Sequence, residues 1–161
     1  MASDMFLELT NVKGESTVKG FEEKMDIHSF SFGVSNTGTA GYGGGAGAGR
    51  ANVSDLSLGK LVDKATPILY KFCFSGKHID KATLTVRKAG GDKPVEYLKY
   101  EMTEVFITSV QSSDSAGGSI ASESLSLNFN KLVMTYSGQD KSGAAKAESP
   151  VTLDIAENTV S

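Results

Sequence analysis

The amino-acid sequence predicts a mainly β fold: a barrel or sandwich of antiparallel strands, one short α-helix at about residues 67–75, and an extended glycine-rich loop. Two observations carry this expectation. Apolar residues recur at every second position in most of the chain, the spacing of half-buried strands. Only the stretch from Asp63 to Gly91 opens with helical spacing, and its period then drops to two. Many strands and one helix bury their apolar faces together as a closed or nearly closed barrel, or as a sandwich. The helix would cover one opening or edge.

Taken in order, Met5, Leu7 and Leu9 alternate with Phe6, Glu8 and Thr10, which predicts a first strand. Phe30, Phe32 and Val34 alternate with Ser29, Ser31 and Gly33 in a second. Val53, Leu56 and Leu58 mark a third, with an irregularity near Ser54 and Asp55. In the helix Thr66 suits the N-cap, where its hydroxyl would accept an unpaired backbone N–H, and Pro67 suits the first helical position. Ile68, Leu69, Phe72 and Cys73 supply an apolar face. Gly76 is the natural stop, since it enters the left-handed region without penalty. Lys71, Lys77 and His78 would complement the negative end of the helix dipole. A strand follows with Ala82, Leu84 and Val86 on one face and Thr83, Thr85 and Arg87 on the other, closed by Gly90 and Gly91. From Val95 to Val110 the pattern places Leu98, Tyr100, Met102, Phe106 and Val110 together. Leu125, Leu127 and Phe129 alternate with Ser124, Ser126 and Asn128, and the phase then flips to Leu132, Met134 and Tyr136, as at a bulge or bend. Val151, Leu153 and Ile155 suggest a last short strand.

A length of 161 residues fits one domain, residues 1–161, able to bury a real core. With 39% hydrophobic and 22% charged residues the composition is that of an ordinary soluble protein. A net charge of -3 gives no basic footprint for nucleic acid. No apolar run is long enough for membrane insertion as a helix. The amino-terminal MASDMFLELTNVKGES does not read as a secretory signal peptide. The single cysteine, Cys73, cannot form an intrachain disulfide and reads as a small core residue. Synthesis and folding in the cytoplasm follow, with later export by a route that needs no cleaved signal left open.

The pattern of a catalytic site is missing. His28 opens a strand, and His78 sits at a helix end. Two histidines and one cysteine without zinc-type spacing predict no metal site, and no cofactor is expected. Gly43 to Ala48 fits a loose G-x-G-x-x-A, but the dinucleotide fingerprint needs a helix opening on it, and Ala51 to Leu58 reads as strand. Glu22, Glu23 and Asp26 read as a solvated face. The segment Gly38–Gly49 contains seven glycines. It is either a surface loop or an extension that orders against a neighbour.

Four segments in order resemble the Hcp family (haemolysin-coregulated protein), the tube-forming protein of bacterial type VI secretion. They are DMFLELTNVKGES from Asp4, HSFSFGVS from His28 running into the glycine-rich loop, the block from Asp63 to Gly91, and LSLNFNKLVMTY from Leu125. Where that family often has tryptophans flanking the serine of the HSFSFGVS segment, this chain has Phe30 and Phe32 around Ser31.

The resemblance implies homohexameric rings that stack into an inner tube, with effector cargo in the lumen. It implies a spike protein and a contractile sheath as further partners, and secretion without a cleaved signal peptide. It places Ser31, with Ser29 beside it, on the lumen wall as the cargo contact. The plain alternative is an ordinary exposed strand face. Ser124, Ser126 and Asn128 are weaker candidates for the same wall. Tyr42, Gly43, Gly44, Gly45 and Gly47 are the expected ring-to-ring or subunit contacts. No enzymatic step is expected. The alternatives are a monomeric β-sandwich that binds a sugar or peptide, and a small hydrolase using serine with His28 or His78.

Overall fold

The computed structural model describes residues 3–36, 51–88, 94–139 and 145–161. The order is β1 (Ser3–Leu9), β2 (Met25–Ile27), β3 (Ser29–Ser31), β4 (Val34–Ser35), β5 (Asn52–Val53), β6 (Leu56–Leu61), α1 (Thr66–Ser75), β7 (Ile79–Lys88), β8 (Val95–Ser113), β9 (Ser122–Gln139), β10 (Ala145–Ala147), β11 (Val151–Asp154) and β12 (Thr159–Val160). Among the described residues the mainly β expectation with one helix holds.

Antiparallel pairing runs β3–β6–β9–β8–β7–β1–β2. β2 and β3 are consecutive segments separated by His28, whose N–H donates to the Gly59 carbonyl at 2.7 Å. The two ends of the path therefore lie on one stretch of chain, and the sheet curls toward a barrel without closing by strand pairing among the described residues. The long strands β8 and β9 serve both layers. Their first and last parts, respectively, pair beside β7 and β11, and their other halves pair beside β6. Leu7, Met25, Leu56, Leu69, Leu84, Met102, Leu125 and Leu127 fill the interior.

Helix α1 spans the predicted residues to within one, but its start works differently. Ala65, not Thr66, occupies the N-cap position, and no side chain caps the helix. Thr66 is instead the first helical residue. Its hydroxyl accepts the Asp63 N–H at 3.1 Å and donates to Glu123 Oε2 at 3.2 Å, so a tertiary contact replaces the cap. Gly76 ends the helix at φ 66°, with its N–H on the Phe72 carbonyl, as the left-handed stop requires. Leu69 is buried, Phe72 and Cys73 pack partly against the core, and Ile68 points outward. No basic residue lies in the last turn, so the expected dipole partners are not in place.

Several strand phases differ from the expectation. Phe6 is buried on the far side of β1, because its ring stacks on Phe21 at 4.4 Å with the Arg87 guanidinium 5.3 Å from it. Val34 is exposed, since the chain leaves the β6 partnership after Ser31. The predicted break at Ser54 and Asp55 separates β5 from β6. On β8 the core set is Tyr100 and Met102, then Val105 and Ile107. Glu104, at φ 51°, shifts the phase by one residue and turns Phe106 out. β9 changes phase opposite it, between Phe129 and Leu132. Ile155 lies just past β11, and β2, β10 and β12 were not foreseen. Gly90 and Gly91 lie outside the described residues.

Candidate functional site: a serine-lined wall

The strand registers assemble a polar surface from residues far apart in sequence. Ser31 pairs with Ser57, Ser57 with Ser126, and Ser126 with Ser109, so one row of serines crosses β3, β6, β9 and β8. The next row is Ser29, Gly59, Ser124 and Gln111. A third places Ser122 against Ser113, whose hydroxyls are 3.3 Å apart. The alternation of strands sends these groups outward, while Leu56, Leu58, Leu125 and Leu127 between them enter the core.

The two main rows line a shallow concavity of 470 Å³, floored by Phe30, Leu58 and Leu125. Not one of its lining residues is charged. Gly59 matters for its shape, because a Cβ there would collide with Ser29 Oγ. Beneath β3, Phe30 and Phe32 each approach the Tyr100 ring at 5.8 Å, and Phe32 approaches Phe129 at 6.0 Å. Desolvation of the Tyr100 phenol raises its pKa above the ordinary 10.0. At one end of the wall Asp55 accepts from Thr108 Oγ1 at 2.7 Å and Asn128 Nδ2 at 3.1 Å, which fixes the break between β5 and β6.

The opposite layer has different chemistry. Arg87 meets Asp4 at 3.3 Å, Lys24 meets Glu8 at 3.1 Å and Lys99 meets Glu101 at 3.3 Å, all on its outward side. The molecule thus presents one hydroxyl face and one ionic face.

Ser29 and Ser31 are both exposed on β3 and both border the concavity, together with Ser124 and Ser126. Asn128 is spent on Asp55. Tyr42, Gly43, Gly44, Gly45 and Gly47 lie outside the described residues. His28 is an exposed residue between β2 and β3, and His78 is 3.8 Å from Asp80 at the surface. Among the described residues no three His, Cys, Asp or Glu side chains converge as metal ligands, and no helix is long and apolar enough to cross a membrane. The sequence reading missed Ser57, Ser109 and Gln111. Ser57 sits between Leu56 and Leu58, an alternation that signals an outward residue. Ser109 and Gln111 were hidden by the phase shift at Glu104 and by the bulge between Ile107 and Ser109.

Comparison with known proteins agrees with this architecture. The family described as "Type VI secretion system effector, Hcp" matches residues 6–136. The chain is 45% identical over 144 residues to the protein hcp1 of Pseudomonas aeruginosa, covering 89% of each. Among solved structures it is similar to one described as a type six secretion system protein, with TM-score 0.92, 27% identity, and coverage of 99% of this chain and 100% of that one. It is also similar to Hcp1 from Salmonella typhimurium, with TM-score 0.78, 30% identity and full coverage of both chains. With most of its length matched in sequence and in fold, the chain belongs to the Hcp family of type VI secretion proteins.

Proposed function

We propose that this chain is the structural subunit of the type VI inner tube. Six copies close into a ring, the rings stack, and effector cargo rides in the lumen against the serine wall. The observation that carries this reading is the uncharged hydroxyl surface spread over four strands, with Ser31 at its edge. A lumen that holds water and unrelated cargo is served by short polar groups, which hydrogen-bond without imposing charge. The ionic outer layer suits a surface that meets solvent and the contractile sheath.

On this reading the chain is one domain over residues 1–161, and it performs no covalent chemistry. It assembles in the cytoplasm, meets a spike protein at the tube tip, and leaves the cell without a cleaved signal. Tyr42, Gly43, Gly44, Gly45 and Gly47 contact the adjoining subunit or ring. Closure is head to tail, one patch meeting a different patch on the next copy.

Native mass spectrometry with negative-stain microscopy tests it. The expected result is a six-copy mass and annular particles with a central hole. A monomeric mass at micromolar concentration without rings would overturn it and return the concavity to the monomeric binding module.

A further inference from the structure

The serine wall carries no charge on its lining, yet the charges behind and around it do not balance. Strands β3 and β6, with residues 106–113 of β8 and 122–128 of β9, hold only two formal charges, Lys60 and Glu123. Both are buried on the reverse side of the wall. Lys60 Nζ meets two carboxylates there, Glu123 at 2.5 Å and Asp63 at 3.0 Å, so one cation stands against two acids. Among the described residues Glu123 Oε1 is buried without a hydrogen-bond partner, so no donor offsets the excess from that side.

The acids that border the wall add to it. Asp55, two residues before Ser57, accepts from the neutral side chains of Thr108 and Asn128. Asp114 follows β8 and accepts the Ser115 N–H at 2.8 Å. Neither meets a cation among the described residues. The other layer differs, for Arg87, Lys24 and Lys99 each face an acid there.

The surface inside this acidic frame matches an amphipathic cation. Phe30, Leu58 and Leu125 form an apolar floor, with serine hydroxyls and the Gln111 amide around it. Lysine and arginine lay an aliphatic stem on apolar surface and keep the charged head among polar groups. Hydroxyl and amide oxygens accept from that head, and a low-dielectric wall focuses the field of the acids at its border. Resting on the reading of the chain as a cargo-carrying subunit, we infer that the serine wall selects basic segments of cargo. Lysine or arginine side chains seat on the floor of Leu58 and Leu125, and acidic segments are turned away. Complementary charge of this kind sets which partner docks.

The test uses the full-length chain and three short peptides in which glycine alternates with arginine, glutamine or glutamate. Each peptide carries one tryptophan. The chain itself has none, so the anisotropy of peptide fluorescence reads binding directly. At low salt the arginine peptide should bind at least about tenfold more tightly than the glutamine peptide, a difference of 1.4 kcal/mol, and the glutamate peptide more weakly than either. Added salt should narrow these differences, because exposed charges are screened. Ser57→Lys, at the centre of the wall, should weaken the arginine peptide by about tenfold or more, and Ser57→Glu should strengthen it. Thr103→Lys makes the same change in net charge beside Lys81 and Lys131 on the ionic layer, and should leave binding unchanged. Ser57 and Thr103 are both exposed. Unchanged circular dichroism and melting temperature establish folding, and Gln111→Lys serves if Ser57→Lys does not fold. Equal binding of the three peptides, or none by any, would overturn the inference. Equal weakening by Ser57→Lys and Thr103→Lys would also overturn it, because the peptide then answers to net charge alone. With a wild-type ring by native mass spectrometry, each of these results leaves the ring reading standing. A wild-type monomer would remove the ring reading, and the peptides would still decide the preference of the wall, because its whole floor belongs to one subunit.

Discussion

Lys60 and Glu123 face each other across β6 and β9, with Nζ 2.5 Å from Glu123 Oε2 and both side chains fully buried. The ammonium also donates to the Leu61 carbonyl at 2.9 Å and to Asp63 Oδ1 at 3.0 Å, so all three of its protons are placed. Thr66 donates to the same Glu123 oxygen. One ionic knot therefore ties the start of α1 to the back of the serine wall. The residues beside it, Gly59 and Ser124, belong to the wall itself.

Removing Lys60 leaves the Glu123 carboxylate buried without its cation, which costs about 3–5 kcal/mol, whereas removing Glu123 leaves the ammonium still facing Asp63 at 3.0 Å. Lys60→Met alone should therefore lower the urea midpoint sharply, and Glu123→Leu alone should lower it less. The double substitution Lys60→Met with Glu123→Leu should recover most of the loss, since an apolar pair of similar volume is often as stable as a buried ion pair. Single variants as stable as the wild type would show that the pair is not stabilising in this way.

The bend of the two long strands rests on Glu104, whose backbone is left-handed at φ 51° and whose carboxylate accepts from Asn130 Nδ2. A β-branched residue there should cost about 1–2 kcal/mol, the penalty of a crowded left-handed residue. Glu104→Gly relieves that strain but forfeits the hydrogen bond, and should fall within about 1 kcal/mol of the wild type. Chemical denaturation of Glu104→Val and Glu104→Gly ranks them, and the reverse order would contradict the bend as its cause.

Legibility in the sequence followed the same division. Local signals transferred well: Pro67 and Gly76 bounded the helix, and Ala82, Leu84 and Val86 gave the core face of β7. Ser29 and Ser31 were visible as outward residues because Phe30 and Phe32 alternate with them. What stayed hidden depends on residues distant in sequence. Nothing in the chain near Lys60 announces a carboxylate 63 positions away. Phe6 looked outward until Phe21 and Arg87 covered it. Phe106 was assigned to the core because a left-handed glutamate leaves no mark on a period of two.

Tyr100 supports β3 from below, and its phenol favours the neutral form because burial disfavours tyrosinate. Its folded pKa is raised above the unfolded value near 10. The stability this contributes is complete below the unfolded pKa and is lost as pH rises through the folded one. Urea midpoints measured from neutral to strongly alkaline pH should decline in that upper range, and Tyr100→Phe should flatten the decline. Identical alkaline profiles for the two proteins would assign the loss to other groups.

Ser31→Gln addresses the wall directly. Ser31 is exposed, its neighbours Phe30 and Phe32 face the other way, and the longer side chain adds bulk without entering the core. On the proposed ring reading, the assembly should therefore form as before, with an unchanged native mass. In a six-copy ring six added side chains project from one wall, and a total loss of 1.4 kcal/mol already lowers cargo retention tenfold. Cargo co-purifying with the proposed ring should fall by about that factor or more, while Lys99→Gln on the ionic layer leaves it unchanged. Equal retention by the Ser31 variant and the wild type would remove Ser31 from cargo contact, and loss of the ring itself would make the residue part of assembly instead.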